Sequence, residues 1–236
     1  MQDDNWELIK GPSAYRIEIL NYLSQVNQIE ALVVFSLYHN PDGSMKHPNQ
    51  RALKELHRTG TFLLLKRPGE FRETPVVLEF PNGDIAYEPP SAGEVEKFLE
   101  LFFEELNQRW TDMLPVEAAA FTLWFINWVH PFKNGNGRTA RAFCYASMAM
   151  KMGYVPPGER TVPELIKEND DEYQLALRRA DKAYRDTGKP DLSALETLLD
   201  RLIAEQLEAA LLEEEKKRAA EAAQVVAVEA PKGGEA

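Results

Sequence analysis

Two nearly continuous apolar stretches, residues 118–129 and 139–152, constrain the fold of this chain more than anything else in it. A helix that is apolar on most sides cannot lie on a surface, so each stretch is predicted to run through the middle of a helical domain. Pro115 suits the first turn of the earlier helix, and Gly153 suits the end of the later one. What separates them is short and polar. That connection hangs between two buried helices, a rigid mount of the kind a site requires.

Residues 130–141 read His-Pro-Phe-Lys-Asn-Gly-Asn-Gly-Arg-Thr-Ala-Arg. Each residue type here answers a need of phosphate chemistry. Backbone N–H groups freed by Gly135 and Gly137 can close around an anion, and a helix starting there aims the positive end of its dipole at it. Arg138 and Arg141, three apart, share one helix face and offer planar forks to phosphate oxygens. His130 stands just upstream, where it can take a proton from an attacking hydroxyl. Taken singly, His-Pro before a glycine turn is an ordinary helix stop and Gly-Asn-Gly an ordinary turn. The combination carries the information.

A chain of 236 residues has room for one domain with a sizeable core plus an appendage. Its net charge of −11 comes with no basic stripe, so neither nucleic acid nor an anionic membrane is expected as a partner. Cys144 is the only cysteine; no intrachain disulfide can form, no zinc site has its ligands, and apolar neighbours mark it as a small buried hydrophobe. The first residues are acidic and polar, and no apolar run reaches membrane-spanning length. The expected location is the cytoplasm.

Residues 1–59 read as an N-terminal helical region with Ile17, Leu20, Leu23 and Val26 at helical spacing. Periodicity leaves 29–37 open between strand and buried helix. Residues 40–43 are a strong turn, and 51–56 have weak helical character. Residues 76–80 and 85–87 are predicted to form a hairpin about Asn82 and Gly83. Ser91 and Glu94 fit a capping box for the amphipathic helix that follows. Helices are expected at 170–187 and 191–222, the second exposed, with Glu213–Lys217 and Glu214–Arg218 at i,i+4. Residues 223–236 have the composition of a disordered tail. His39, His47 and His57 lie in turn-like or polar surroundings without ligand spacing and are expected at the surface.

The stretch 130–141 resembles the signature of the Fic family, HxFx(D/E)GNGRxxR, at every fixed position except one: Asn134 stands where the family carries an acid. The likeness extends to residues 69–72 (Gly-Glu-Phe-Arg), the hairpin, and residues 87–90 (Tyr-Glu-Pro-Pro). It spans about residues 60–190, the expected domain core. The resemblance implies a mostly α fold, a helical bundle with a small β-hairpin flap next to the active-site loop. It also implies transfer of AMP from ATP to a Tyr, Thr or Ser hydroxyl of a target protein, with Mg²⁺ or Mn²⁺.

Carried onto this chain, the resemblance makes His130 the general base and Phe132 the residue that holds the loop from within. Gly135, Asn136 and Gly137 become the anion nest, with Asn136 adding a side-chain donor. Arg138 would hold the leaving pyrophosphate and Arg141 the terminal phosphate. Val76, Val77, Leu78, Asp84, Ile85 and Tyr87 become the target-binding flap, recognising an extended segment by strand addition. The family's Doc branch has lysine at the position of Gly137 and acts as a kinase, so glycine here favours nucleotidyl transfer.

Two departures stand out. Asn134 is the metal candidate by position, yet it offers a neutral amide oxygen where Mg²⁺ prefers a charged one. That leaves three readings open: metal-assisted turnover, another phosphate-containing co-substrate, and a nucleotide-binding regulatory or toxin–antitoxin module with little or no catalysis. The family's inhibitory pattern, (S/T)xxxE(G/N), has no strict match. The nearest stretch, 26–31, would set Glu30 against Arg141. Without such self-inhibition a separate antitoxin is expected, and a homo-oligomer is left open.

Overall fold

Helices α4 (Pro115–Val129) and α5 (Asn136–Met152) pack against each other through the middle of the protein. In the computed structural model, which describes residues 8–9, 11–38, 46–79, 82–83 and 85–229 (222–229 in backbone only), α4 buries all of residues 118–126. The other helices are arranged around this pair. Helices α1 (Pro12–Ser36) and α2 (Gln50–Gly60) lie together against α5. Helices α3 (Val95–Arg109) and α8 (Ser193–Glu229) cover α4, while α6 (Val162–Glu168) and α7 (Asp170–Thr187) pack between α5, α4 and α8. The expected mostly helical bundle with a small hairpin is what the chain forms.

Local signals set many of the ends. Ser91 and Glu94 close a reciprocal capping box ahead of α3. Gly153 and Gly188 end α5 and α7 in the left-handed conformation that glycine adopts without penalty. The stretch 29–37, open between strand and helix, is the last part of α1. Its helical phase is unexpected: Leu20 and Leu23 are exposed, and the buried line is Asn21, Gln25, Ile29, Val33 and Ser36. Helix α8 continues past residue 222 to Glu229, so the first part of the expected tail is helical. Arg218 and Glu214 form the expected exposed ion pair.

The hairpin is shorter than expected. Strand β1 (Leu78–Glu79) pairs antiparallel with β2 (Ile85–Tyr87), with Leu78 opposite Tyr87. Extending that register would set Val77 and Val76 opposite Glu88 and Pro89; Pro89 and Pro90 have no N–H to donate, so pairing stops. The turn at 40–43, His39, Asp84 and residues 230–236 lie outside the described residues. No helix among the described residues is long and apolar enough to cross a membrane.

Candidate active site

His130 ends α4 in the left-handed conformation, φ 50°, which is uncommon for a residue with a Cβ. Backbone bonds hold it there. Its N–H donates to the Ile126 carbonyl at 3.0 Å, and its own carbonyl accepts from Arg72 Nε at 2.8 Å. The buried Arg72 guanidinium also reaches the carbonyls of Val129 and Pro90, joining the flap to the helix end. The imidazole Nδ1 lies 3.3 Å from the Asn127 carbonyl. A carbonyl can only accept, so Nδ1 carries the proton and Nε2 keeps its lone pair. Burial pushes the His130 pKa down to about 4 against the pull of the Asn127 bond, and the Arg72 charge adds to the fall. The ring is a neutral base at physiological pH.

The loop after it is held from beneath. Phe132 is fully buried and stacks on His57, ring centroids 3.7 Å apart. Asn136 clasps the loop: its Oδ1 accepts the Phe132 N–H at 2.9 Å and its Nδ2 donates to the Phe132 carbonyl at 2.7 Å. Asn136 thus has a loop-holding role beside the donor role expected for it. The amide oxygen and one N–H of Nδ2 are engaged with the loop, which leaves the second Nδ2 hydrogen and the backbone N–H as donors. The N–H groups of Asn136, Gly137 and Arg138 precede the first bond of α5, from Thr139 to the Gly135 carbonyl, and are the donors an anion can use. Gly135 has φ 77°, and a Cβ there would meet Thr61 Cγ2 at 2.7 Å. At Gly137 a Cβ would come within 3.3 Å of the Arg141 guanidinium.

These residues and the flap enclose a cavity of about 610 Å³. His130, Lys133, Asn134, Gly135, Asn136, Gly137, Arg138 and Arg141 form one side; Val76, Val77, Leu78 and Glu79 form the other. Every motif residue expected at the site is therefore in one place, with three of the expected flap residues. Ile85 stands apart and exposed, and Tyr87 spends its hydroxyl on the Trp128 carbonyl, fastening the flap to α4. Lys133 reaches across to Thr74 Oγ1 at 3.2 Å.

Arg138 forms an ion pair with Glu18 of α1. This corrects the expectation for Glu30, which is exposed on α1 away from the cavity, with no bond to Arg141. Burial lowers the Arg141 pKa, an effect that Tyr173 opposes, and the guanidinium stays a cation.

The residues around the cavity do not suit a protein-held Mg²⁺. Asn134 Oδ1 accepts the Gly135 N–H at 2.7 Å, so its oxygen is both neutral and engaged. The neighbouring Lys133 adds positive charge to the same wall. No cluster of three metal-ligating side chains occurs among the described residues.

Residues 47–148 match the family model described as the Fic/DOC family. The chain carries a Fic/DOC domain. The protein adenylyltransferase Fic of Drosophila grimshawi is 35% identical over 89 residues, 37% of this chain and 17% of that protein. The chain thus spans less than a fifth of the length of the curated relatives it matches. A Fic family protein from Desulfovibrio desulfuricans G20 superposes with TM-score 0.64 at 18% identity, over 87% of this chain and 56% of that one. A Fic domain containing signaling protein from Bacteroides thetaiotaomicron VPI-5482 gives 0.61 at 18% identity, over 83% of this chain and 69% of that one. Both share the fold.

Three residues at this site, two in the Fic/DOC stretch and one in α1, had no role expected from the sequence. His57 is a correction: it is fully buried, not at the surface. Its Nδ1 accepts the Gly69 N–H at 2.7 Å, so Nε2 carries the proton and donates to the Asn134 carbonyl at 2.9 Å. The signal was present, because Leu53, Leu56, His57 and Gly60 follow the i, i+3, i+4, i+7 spacing of a buried helix face. Arg72 lay inside the Gly-Glu-Phe-Arg segment but had no assigned work. Glu18 carried no local signal at all. His47 is half-buried, bonded to the Pro48 carbonyl, and Cys144 is fully buried, as expected, its thiol pKa raised by desolvation.

Proposed function

We propose that this chain is a protein adenylyltransferase that moves AMP from ATP to a Tyr, Thr or Ser hydroxyl of a target protein. The observation that carries this reading is the neutral His130 imidazole, with Nδ1 tied to Asn127, in the wall of a cavity that also holds Arg138, Arg141 and the start of α5. The likeness to proteins named adenylyltransferases supports the choice of AMP over other groups. His130 Nε2 takes the proton of the target hydroxyl as its oxygen attacks the α-phosphorus in line. The bond to the bridging oxygen breaks, and pyrophosphate leaves against the α5 N–H groups, Arg138 and Arg141. No step is assigned to a protein-bound metal.

The exposed backbone of Val76 and Val77, unpaired on the flap beside the cavity, is the proposed seat for an extended target segment. Glu18 is the proposed restraint on Arg138, in place of the Glu30–Arg141 pair. A second reading, nucleotide binding without turnover, is favoured by one observation, the poor fit of Asn134 and Lys133 to Mg²⁺.

Intact-mass measurement after incubation with ATP, beside a His130→Ala control, separates these readings. A gain of one AMP in the natural protein and none in the control supports transfer. Calorimetric binding of ATP with no gain, in the presence of candidate targets, supports the second reading. No binding overturns both.

A further inference from the structure

Helix α1 turns its polar side inward. Asn21 Nδ2 donates to the Phe62 carbonyl at 2.8 Å and Gln25 Nε2 to the Leu56 carbonyl at 2.7 Å, so amides, rather than alkyl groups, join much of this helix to α2 and the turn after it. Ile29 and Val33 are buried, but four other apolar residues of α1 face out: Ile19 is 46% exposed, Leu20 63%, Leu23 56% and Val34 52%. Asn27 is exposed among them, and this many large apolar side chains on one helix face are unusual at a free surface. Two charges, Arg16 and Glu30, are exposed on the same face. Among the described residues neither has an ion-pair or hydrogen-bond partner.

The spacing of those charges is informative. Arg16, Leu23 and Glu30 are seven apart, and an α-helix drifts only ~20° per seven residues, so the three lie almost on one line along the axis. Leu23 is their midpoint. We infer that this face docks on the same face of a second copy of the chain, the two α1 helices running antiparallel about a two-fold axis at Leu23. In that arrangement each Arg16 meets the second copy's Glu30. The contact occurs twice, ~10.5 Å to either side of the Leu23 pair. Ile19 and Leu20 fill the space between. The charges also select the direction, since a parallel pairing would set arginine on arginine and glutamate on glutamate. The face is complementary to itself, which is what an isologous interface requires and what an unrelated partner has no reason to match. This inference does not depend on the enzymatic reading.

Sedimentation of the full chain over a concentration series tests it, with charge exchange as the decisive arm. The natural sequence is expected to form a dimer. Arg16→Glu sets like charges together and should weaken the dimer by at least ~10-fold. Adding Glu30→Arg to it restores the opposite charges in exchanged order and should return the constant to within ~3-fold of the original. Both positions are exposed, and unchanged circular dichroism would show that the variants fold. A monomer at every concentration overturns the inference, and so does a dimer indifferent to Arg16→Glu or not recovered in the double variant.

Discussion

Glu18 of α1 and Arg138 of α5 form an ion pair across the rim of the candidate active site, so one of the two motif arginines is already engaged by the chain's own carboxylate. The side chains are 31% and 36% exposed, and a pair this open contributes at most ~1 kcal/mol to stability. Its larger consequence concerns ligands. A polyphosphate must compete with Glu18 for the guanidinium. Glu18→Ala should leave the melting temperature nearly unchanged and tighten ATP binding by ~3–5-fold, the equivalent of ~1 kcal/mol. Calorimetric titration checks this, and equal or weaker binding would remove Glu18 as a restraint.

His57 holds the motif loop through two buried bonds, to Gly69 and Asn134, and through its stack on Phe132. His57→Phe keeps a ring against Phe132 and strands a buried N–H and a buried carbonyl. Leaving such groups unpaired costs roughly 1–3 kcal/mol each. Urea unfolding should therefore show a loss of roughly 2–5 kcal/mol. A loss below 1 kcal/mol would mean that water or another side chain takes over both bonds, and that His57 is dispensable to the loop.

The two buried histidines make stability fall on the acid side. Burial lowers both pKa values from 6.5 to about 4, so the fold favours the neutral rings. As the pH drops below 6.5 the unfolded chain takes up protons first; the stabilisation is full above that value and is lost towards pH 4. Between pH 7 and pH 5 each histidine costs ~2 kcal/mol. Carboxylates contribute as well, so the useful quantity is a difference: natural protein should lose ~2 kcal/mol more than His57→Phe over that interval. Parallel losses would place the His57 pKa near its ordinary value. For catalysis, the acid limb of kcat/KM should have its midpoint well below 6.5.

Asn134 sits where a charged oxygen would bring a metal to the cavity. In the natural protein, ATP affinity in Mg²⁺ and in chelator should agree within ~3-fold, since the triphosphate oxygens alone can carry the ion. Asn134→Asp should make binding at least ~10-fold tighter with Mg²⁺ than without it. A natural protein that already binds ATP ~10-fold better with Mg²⁺ would show that the amide is a sufficient ligand.

What the sequence determined by itself was local. The lengths of α4, α5 and α7, the Ser91–Glu94 box, the glycine ends of α5 and α7, and the placing of His130, Arg138 and Arg141 on one loop all follow from spacing and capping within a few turns of helix. The rest depended on groups that meet only after the chain has packed. His57 finds the Asn134 carbonyl 77 residues away, and Arg138 finds Glu18 across 120. Glu30 was the better match to a pattern, but the phase of α1 turns it to solvent. That phase was itself a tertiary outcome. Asn21 and Gln25 find acceptors in the carbonyls of Phe62 and Leu56, and with those bonds made a buried amide is tolerated while apolar side chains of the same helix are left in water.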